Sequence, residues 1–174
     1  MERGRGRAQQ KTPGQNRTVK LAIIAVGHKM PAWVSTAYED YARRMPPGML
    51  FALHEIKPGH RAAGEDGARA RQQEGERILA ALPAGCVPVV LDERGTQAST
   101  RELADWLRGW MDEGVSPAFV IGGADGLDDN VKIRAHKLLG MSHLTLPHAL
   151  VRVVLAEQLY RAVSILKGHP YHRD

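Results

Sequence analysis

From residue 19 onward the apolar positions of the chain fall into two alternating patterns. Short runs that are apolar at nearly every position read as strands, and those buried on both faces suit a parallel sheet. They are Val19–Gly27 (VKLAIIAVG), Met49–Lys57 (MLFALHEIK), Cys86–Glu93 (CVPVVLDE), Pro117–Gly123 (PAFVIGG) and Met141–Pro147 (MSHLTLP). Between them lie segments of helical character. Pro31 opens the first, with Trp33, Ala37 and Tyr41 four residues apart. Ala68–Leu82 is the second, and Ser99 with Glu102 has the spacing of a capping box at the start of the third. LDDNVKIRAHKLL (127–139) and Ala149–Gly168 complete the set. Pro88 points to an edge or strand-start position for the third strand. Five strands separated by four helices, with a terminal helix after them, predict an α/β fold. Its sheet is mainly parallel, five- to six-stranded, with helices on both faces.

A length of 174 residues fits one domain, and no repeat or second core divides it. We expect residues 19–174 to form that domain and residues 1–18 to be a disordered basic extension, since the leader has almost no large apolar side chain to bury. The leader reads as a solvated spacer, a loose RNA-binding arm, a targeting segment or the product of an upstream start. A secretory signal fits poorly, because the apolar stretch LAIIAV is short and GHKMP follows it.

Charge changes the picture mainly by its location. The net charge is +5, but residues 1–20 hold six basic residues against Glu2 alone. The body is therefore balanced, and any polyanion must be recognised by a local patch rather than by bulk attraction. The single cysteine, Cys86, rules out an intrachain disulfide and a cysteine zinc cage and fits a reducing cytosol. No apolar run approaches the length of a membrane span, so no membrane partner is expected.

In folds of this class functional loops gather at the carboxyl ends of the strands. Three ends carry unusual residues: LDERG, IGGADG and LTLPHALVR. Gly122 and Gly123 remove side chains where the chain turns tightly or a ligand approaches closely. Their spacing is not the dinucleotide fingerprint, and no phosphate-loop motif exists. Pro147 forces a sharp exit into the last helix, where His148 and Arg152 share one face at a terminus that attracts anions. Glu157 and Arg161 repeat the four-residue spacing on an otherwise apolar helix. The chain closes on HPYHRD. Its histidines, His169 and His172, lack the co-ligands that a metal site needs, so no metal is expected. Tyr171 and Arg173 suit base stacking and phosphate contact.

Together AVGHKMPAWV, VVLDERG, FVIGGADGL, LTLPHALVRVVLAEQLYRA and HPYHR closely resemble the RlmH family of the SPOUT superfamily, small ribosomal RNA methyltransferases. The resemblance covers about residues 20–174. It implies an α/β domain with a C-terminal trefoil knot, a bent S-adenosyl-L-methionine held in that knot, and a homodimer with active sites near the subunit interface. It places cofactor contacts at Leu91, at Gly123, and at Ser142, His143, Leu144, Thr145, Leu146 and Pro147. The implied reaction is methylation of N3 of a pseudouridine in the large-subunit ribosomal RNA, on the ribosome, in the cytoplasm. N3 carries a proton at neutral pH, so a group must remove it and a positive charge must stabilise the anion that forms. We therefore expect Arg152 and Arg161 to face phosphate or the base anion. His148, His169 or His172 handles the proton, Tyr171 packs against the base, and Glu157 orients an arginine. The tail, too short to fold alone, is expected to reach over the cofactor pocket of the other subunit. The competing reading is a non-catalytic RNA- or ribosome-binding module on the same fold.

Overall fold

The computed structural model describes residues 19–61 and 66–173; the leader, residues 62–65 and Asp174 lie outside the described residues. The elements run β1 (Val19–Val26), α1 (Ala32–Arg44), β2 (Met49–Ile56), α2 (Ala68–Ala81), β3 (Val87–Gln97), α3 (Thr100–Glu113), β4 (Pro117–Ile121), α4 (Asp129–Ile133), β5 (Lys137–Gly140) and α5 (His148–Leu166). The five strands form one parallel sheet in the order β2-β1-β4-β3-β5.

The continuous apolarity of β1 has a direct structural cause. Alternate residues of a strand point to opposite faces. Leu21, Ile23 and Ala25 enter a core shared with α1, α3 and α5, while Ala22, Ile24 and Val26 enter a second core beneath α2 and α4. Both faces are covered, as predicted. The capping box also forms: Ser99 Oγ accepts from the Glu102 N–H at 3.2 Å, and Glu102 Oε2 accepts from the Ser99 N–H at 2.7 Å.

Four details depart from the periodicity reading. The inward face of α1 is Val34, Tyr38 and Tyr41, and Trp33 is left 51% exposed. Of the two positions that Pro88 pointed to, the edge is excluded, because β3 lies between β4 and β5, and the strand start agrees, Pro88 being its second residue. The expected helix over 127–139 shrinks to α4, capped by Asp128. The expected strand over Met141–Pro147 is instead a loop, and the last strand is Lys137–Gly140. The sequence from Ala135 to Leu139 has good helix formers, but pairing Lys137, Leu138 and Leu139 with Val89, Val90 and Leu91 satisfies the backbone and buries Leu139. Tertiary pairing thus overrides a weak local preference.

The β3–β5 ladder is itself interrupted. Leu139 aligns with both Leu91 and Thr96, so Asp92–Gly95 are lifted out of register. Gly95 lies hard against β5: a Cβ there would stand 2.5 Å from the Leu139 carbonyl carbon. Such bulges re-aim side chains beside functional clefts.

Candidate functional site

The carboxyl ends of β3, β4 and β5 enclose a cleft of about 1000 Å³. Its walls come from the DERG bulge, from the Gly122–Leu127 loop and from the 141–146 loop. Seven of the eight residues expected at the cofactor line it: Leu91, Gly123, Ser142, His143, Leu144, Thr145 and Leu146. Pro147 does not line it and instead forms the amino-terminal cap of α5, with φ −62° and ψ 142°. The loop turns on Ser142, whose Oγ accepts from the Leu144 N–H at 2.9 Å.

Glycine is required behind the cleft as well as beside it. A Cβ on Gly122 would lie 2.6 Å from Leu127 Cγ, and one on Gly123 would lie 2.6 Å from Glu74 Oε2. Glu74 is 8% exposed, and its other oxygen accepts from the Gly59 N–H at 2.9 Å. The glycine loop is therefore pressed onto a buried carboxylate from α2, leaving bare backbone toward the cleft. Glu74 carried no motif; its one sequence signal is an acid on the apolar side of α2.

Among the residues expected to act chemically, His148 lines the cleft and Arg152 does not. The Arg152 guanidinium is 1% exposed. Its Nη2 donates to the Val26 and Gly27 carbonyls at 2.9 and 2.8 Å, its Nη1 to Glu55 Oε1 at 2.6 Å, and its Nε to His148 Nε2 at 3.2 Å. The expectation of a phosphate-facing Arg152 is thus corrected: it ties the ends of β1 and β2 to the start of α5. Gly27, at φ 109°, makes the close approach possible, since a Cβ there would stand 3.2 Å from Arg152 Nη2. Burial, then the neighbouring Arg152 charge, push the His148 pKa below its ordinary value, against the opposing effect of the Val26 and Gly122 carbonyls. Its Nε2 is an acceptor, so the ring is neutral with its proton on Nδ1.

Arg161, Tyr171 and Glu157 form a second cluster toward the other end of α5. Glu157 Oε1 accepts from Arg161 Nε and Nη2 at 2.8 and 2.5 Å and from the Tyr171 hydroxyl at 3.1 Å. The expectation that Glu157 orients an arginine agrees with this geometry. Arg161 also lies over the Tyr171 ring, 4.7 Å from its centre, and Tyr171 packs edge-on against Tyr160. Burial first, then hydrogen bonds to Tyr41 and Glu157, push the Tyr171 phenol up to about 12. His169 Nδ1 accepts from the Tyr171 N–H at 3.2 Å. Within one chain, then, the tail folds back on its own last helix. His148 and Arg161 are 13 positions apart, about 20 Å along a helix axis. None of Arg161, His169, Tyr171 and His172 reaches the cleft of its own chain.

Two further residues of the cleft escaped the sequence reading, Asp92 and Lys132, whose charged atoms are 2.7 Å apart. Among the described residues there is no group of three or more potential metal ligands and no helix long and apolar enough to cross a membrane.

Comparison with known proteins places this geometry. A family model described as predicted SPOUT methyltransferase matches residues 19–172. A protein of Thiobacillus denitrificans named ribosomal RNA large subunit methyltransferase H is 71% identical over 156 residues, covering 90% of this chain and all of that protein. A protein of the same name from Ralstonia nicotianae is 56% identical, over 89% of this chain and 99% of its own. Among solved structures, a probable methylase family protein from Haemophilus influenzae aligns with a TM-score of 0.54 at 14% identity, over 92% of this chain and 72% of its own. At that identity the likeness concerns the fold alone. By the extent of the family match and the identity to these relatives, the chain belongs to the SPOUT methyltransferase family, in the group named ribosomal RNA large subunit methyltransferase H.

Proposed function

We propose that the chain transfers a methyl group from S-adenosyl-L-methionine to N3 of a pseudouridine in large-subunit ribosomal RNA, acting on the ribosome in the cytoplasm as a homodimer. One observation carries this reading: the residues that the sequence motifs set apart at three separate strand ends converge on one cleft. The relatives, methyltransferases of large-subunit ribosomal RNA by name, support the substrate class.

The cleft suits the cofactor. Its volume is ample for a ligand of that size. Bare backbone at Gly122 and Gly123 lines the cleft beside the 141–146 loop, and main-chain groups of this kind suit an adenine edge and a ribose. When bound, the cofactor supplies a methyl group already activated on a sulfonium. The protein's tasks are then to hold the base in line, take the N3 proton and stabilise the resulting anion.

His148 is poorly placed to take the proton, because its acceptor nitrogen is occupied by Arg152 and burial keeps its ring neutral. It holds the start of α5 instead. Arg161 supplies the positive charge beside the base carbonyls, held by Glu157. His169 or His172 takes the proton, and the Tyr171 ring packs against the base. Tyr171 itself is an unsuitable base, since its phenol stays protonated at working pH.

These groups need a second copy of the chain. The last helix is apolar on nearly all sides, and such helices are normally covered all round. Leu150, Val153 and Val154 are only half-buried, on the side that leads to Glu157 and Arg161. A partner laid along this face covers them and brings its own Arg161 and tail to the cleft.

Ribosomes lacking the modification, incubated with the protein and cofactor, should gain one methyl group that mass mapping assigns to N3 of a single pseudouridine. A methylated uridine, another position on the ring, or no gain would overturn that assignment. Mixed dimers that pair a subunit lacking residues 169–174 with a cofactor-dead subunit test the shared site. We expect one working site per such dimer, and equal activity in every combination sinks the shared arrangement.

A further inference from the structure

The Asp92–Lys132 pair is unused by the chemistry above, yet it faces the cleft. Lys132 Nζ lies 2.7 Å from Asp92 Oδ2, and Asp92 Oδ1 accepts from the Arg94 N–H at 2.9 Å. The Asp92 side chain is 10% exposed and that of Lys132 34%. The Lys132 hydrogen bond, chiefly, holds the Asp92 carboxyl below its ordinary range, so Asp92 is ionised at neutral pH.

The pair is built, not incidental. Asp92 stands on the bulge between Leu91 and Thr96, and the bulge is fixed by Gly95 pressed onto the β5 backbone. Lys132 stands on α4, which Val131 already anchors in the core at 1% exposure. A rim ion pair adds little to stability there. What the pair does provide is an anion and a cation side by side with capacity left over. The ammonium has two further N–H donors, and each carboxylate oxygen a further lone pair.

Of the other charges of the cleft, Arg71 is half-buried on the α2 wall, and the rest are paired or solvated. Asp125 is paired with Arg61 at 3.2 Å, and Glu93 and Arg94 are 82% and 88% exposed at their side chains. The glycine walls suit neutral rings and diols. We infer that the Asp92–Lys132 pair reads the amino-acid end of the cofactor, Asp92 receiving its α-ammonium and Lys132 its α-carboxylate. This rests on the reading of the cleft as a cofactor site and deepens it: the backbone walls hold the adenosine, and the ion pair separates ligands that carry an amino-acid tail from those that lack one.

Two thioethers divide the possibilities. S-adenosylhomocysteine carries the tail, and 5′-methylthioadenosine keeps the adenosine and sulfur without it. Isothermal titration of wild type, Asp92→Asn and Lys132→Met with both ligands is the test. Wild type should bind S-adenosylhomocysteine the more tightly. Each variant should lose about tenfold or more on that ligand, in the range of a truncated charge pair, while binding of 5′-methylthioadenosine moves by less than about twofold. The second ligand also reports whether the variant cleft is intact. Equal weakening of both ligands would assign Asp92 to the ribose or to the bulge's integrity and overturn the inference. So would unchanged affinity for S-adenosylhomocysteine, or a wild type that does not distinguish the two. If wild type binds neither thioether, the reading of the cleft itself fails, and the inference goes with it.

Discussion

The two ends of the last helix carry the same chemistry in opposite settings. Near its start, Arg152 meets Glu55 at 2.6 Å; near its end, Arg161 meets Glu157 at 2.5 Å. The first guanidinium is 1% exposed and its partners are groups from β1, β2 and the neighbouring turn of α5. The second is 28% exposed, and its carboxylate lies one turn away on the same helix. A buried arginine that bonds across the sequence to two carbonyls and a carboxylate is an architectural part, because removing it leaves carbonyls without donors. A half-exposed arginine with a local partner costs little to remove and remains available to a substrate. Identical spacing in the sequence, His148 to Arg152 and Glu157 to Arg161, therefore conceals two different tasks.

Three measurements can break or sharpen that contrast. The largest effect is expected from Arg152→Met, which strands the Val26 and Gly27 carbonyls and the Glu55 carboxylate. Urea unfolding should show a loss of about 3 kcal/mol, moderated by the solvent that reaches Glu55. Arg152→Lys should recover little of it, because one nitrogen cannot replace a guanidinium that reaches four acceptors. A loss below about 1 kcal/mol would return Arg152 to the list of substrate-facing groups.

Arg161→Ala should do the reverse. Its stability should change by less than about 1 kcal/mol, while methyl transfer to ribosomes falls by about a hundredfold, the scale of a lost anion-stabilising group. S-adenosylhomocysteine affinity should be retained, since the Arg161 that a partner brings to the cleft is assigned to the base carbonyls and not to the cofactor. Retained activity would remove Arg161 from the proposed chemistry. A large stability loss would make the two ends of α5 alike.

The smallest effect concerns His148 and pH. Its folded pKa is lowered from the ordinary 6.5 by burial and by Arg152. The unfolded chain therefore binds more protons than the native one between the two values, and stability rises with pH across that window. This contribution is complete above about pH 6.5 and is lost as pH falls toward the folded value. Wild type should thus lose more stability than His148→Gln between pH 7.5 and pH 5 in matched urea titrations. Identical pH slopes would mean that His148 is not held neutral by its surroundings. Asp92, also lowered, contributes in a separate and more acidic range.

Much of the architecture was readable from the pattern of side chains. Strands apolar at every position implied a sheet covered on both faces, and Leu21 to Val26 divide between the two cores accordingly. Ser99 and Glu102 fixed the start of α3 by a local bond that needs no distant partner. The reading failed where local preference and pairing disagreed. The stretch from Ala135 to Leu139 favours a helix in isolation, and only the open edge of β3 makes it a strand. The four-residue spacing of Trp33, Ala37 and Tyr41 does not mark the buried face of α1, whose phase is set by Val34, Tyr38 and Tyr41. A trefoil knot is a property of the path of the chain, which no periodicity encodes; it entered through the resemblance alone.

The sequence by itself determined the class of the fold, the three strand ends where a ligand belongs and the residue types available there. Those features depend on patterns within one segment at a time. The tertiary structure decided which candidates meet. It drew seven of the eight expected cofactor residues into one cleft, withdrew Arg152 into the frame and set Arg161 with its tail at the far end of α5. It also joined Asp92 to Lys132 across 40 positions of sequence. Such pairings depend on how strands stack and where a bulge re-aims the chain, and the distances that follow from packing are not carried by any one segment.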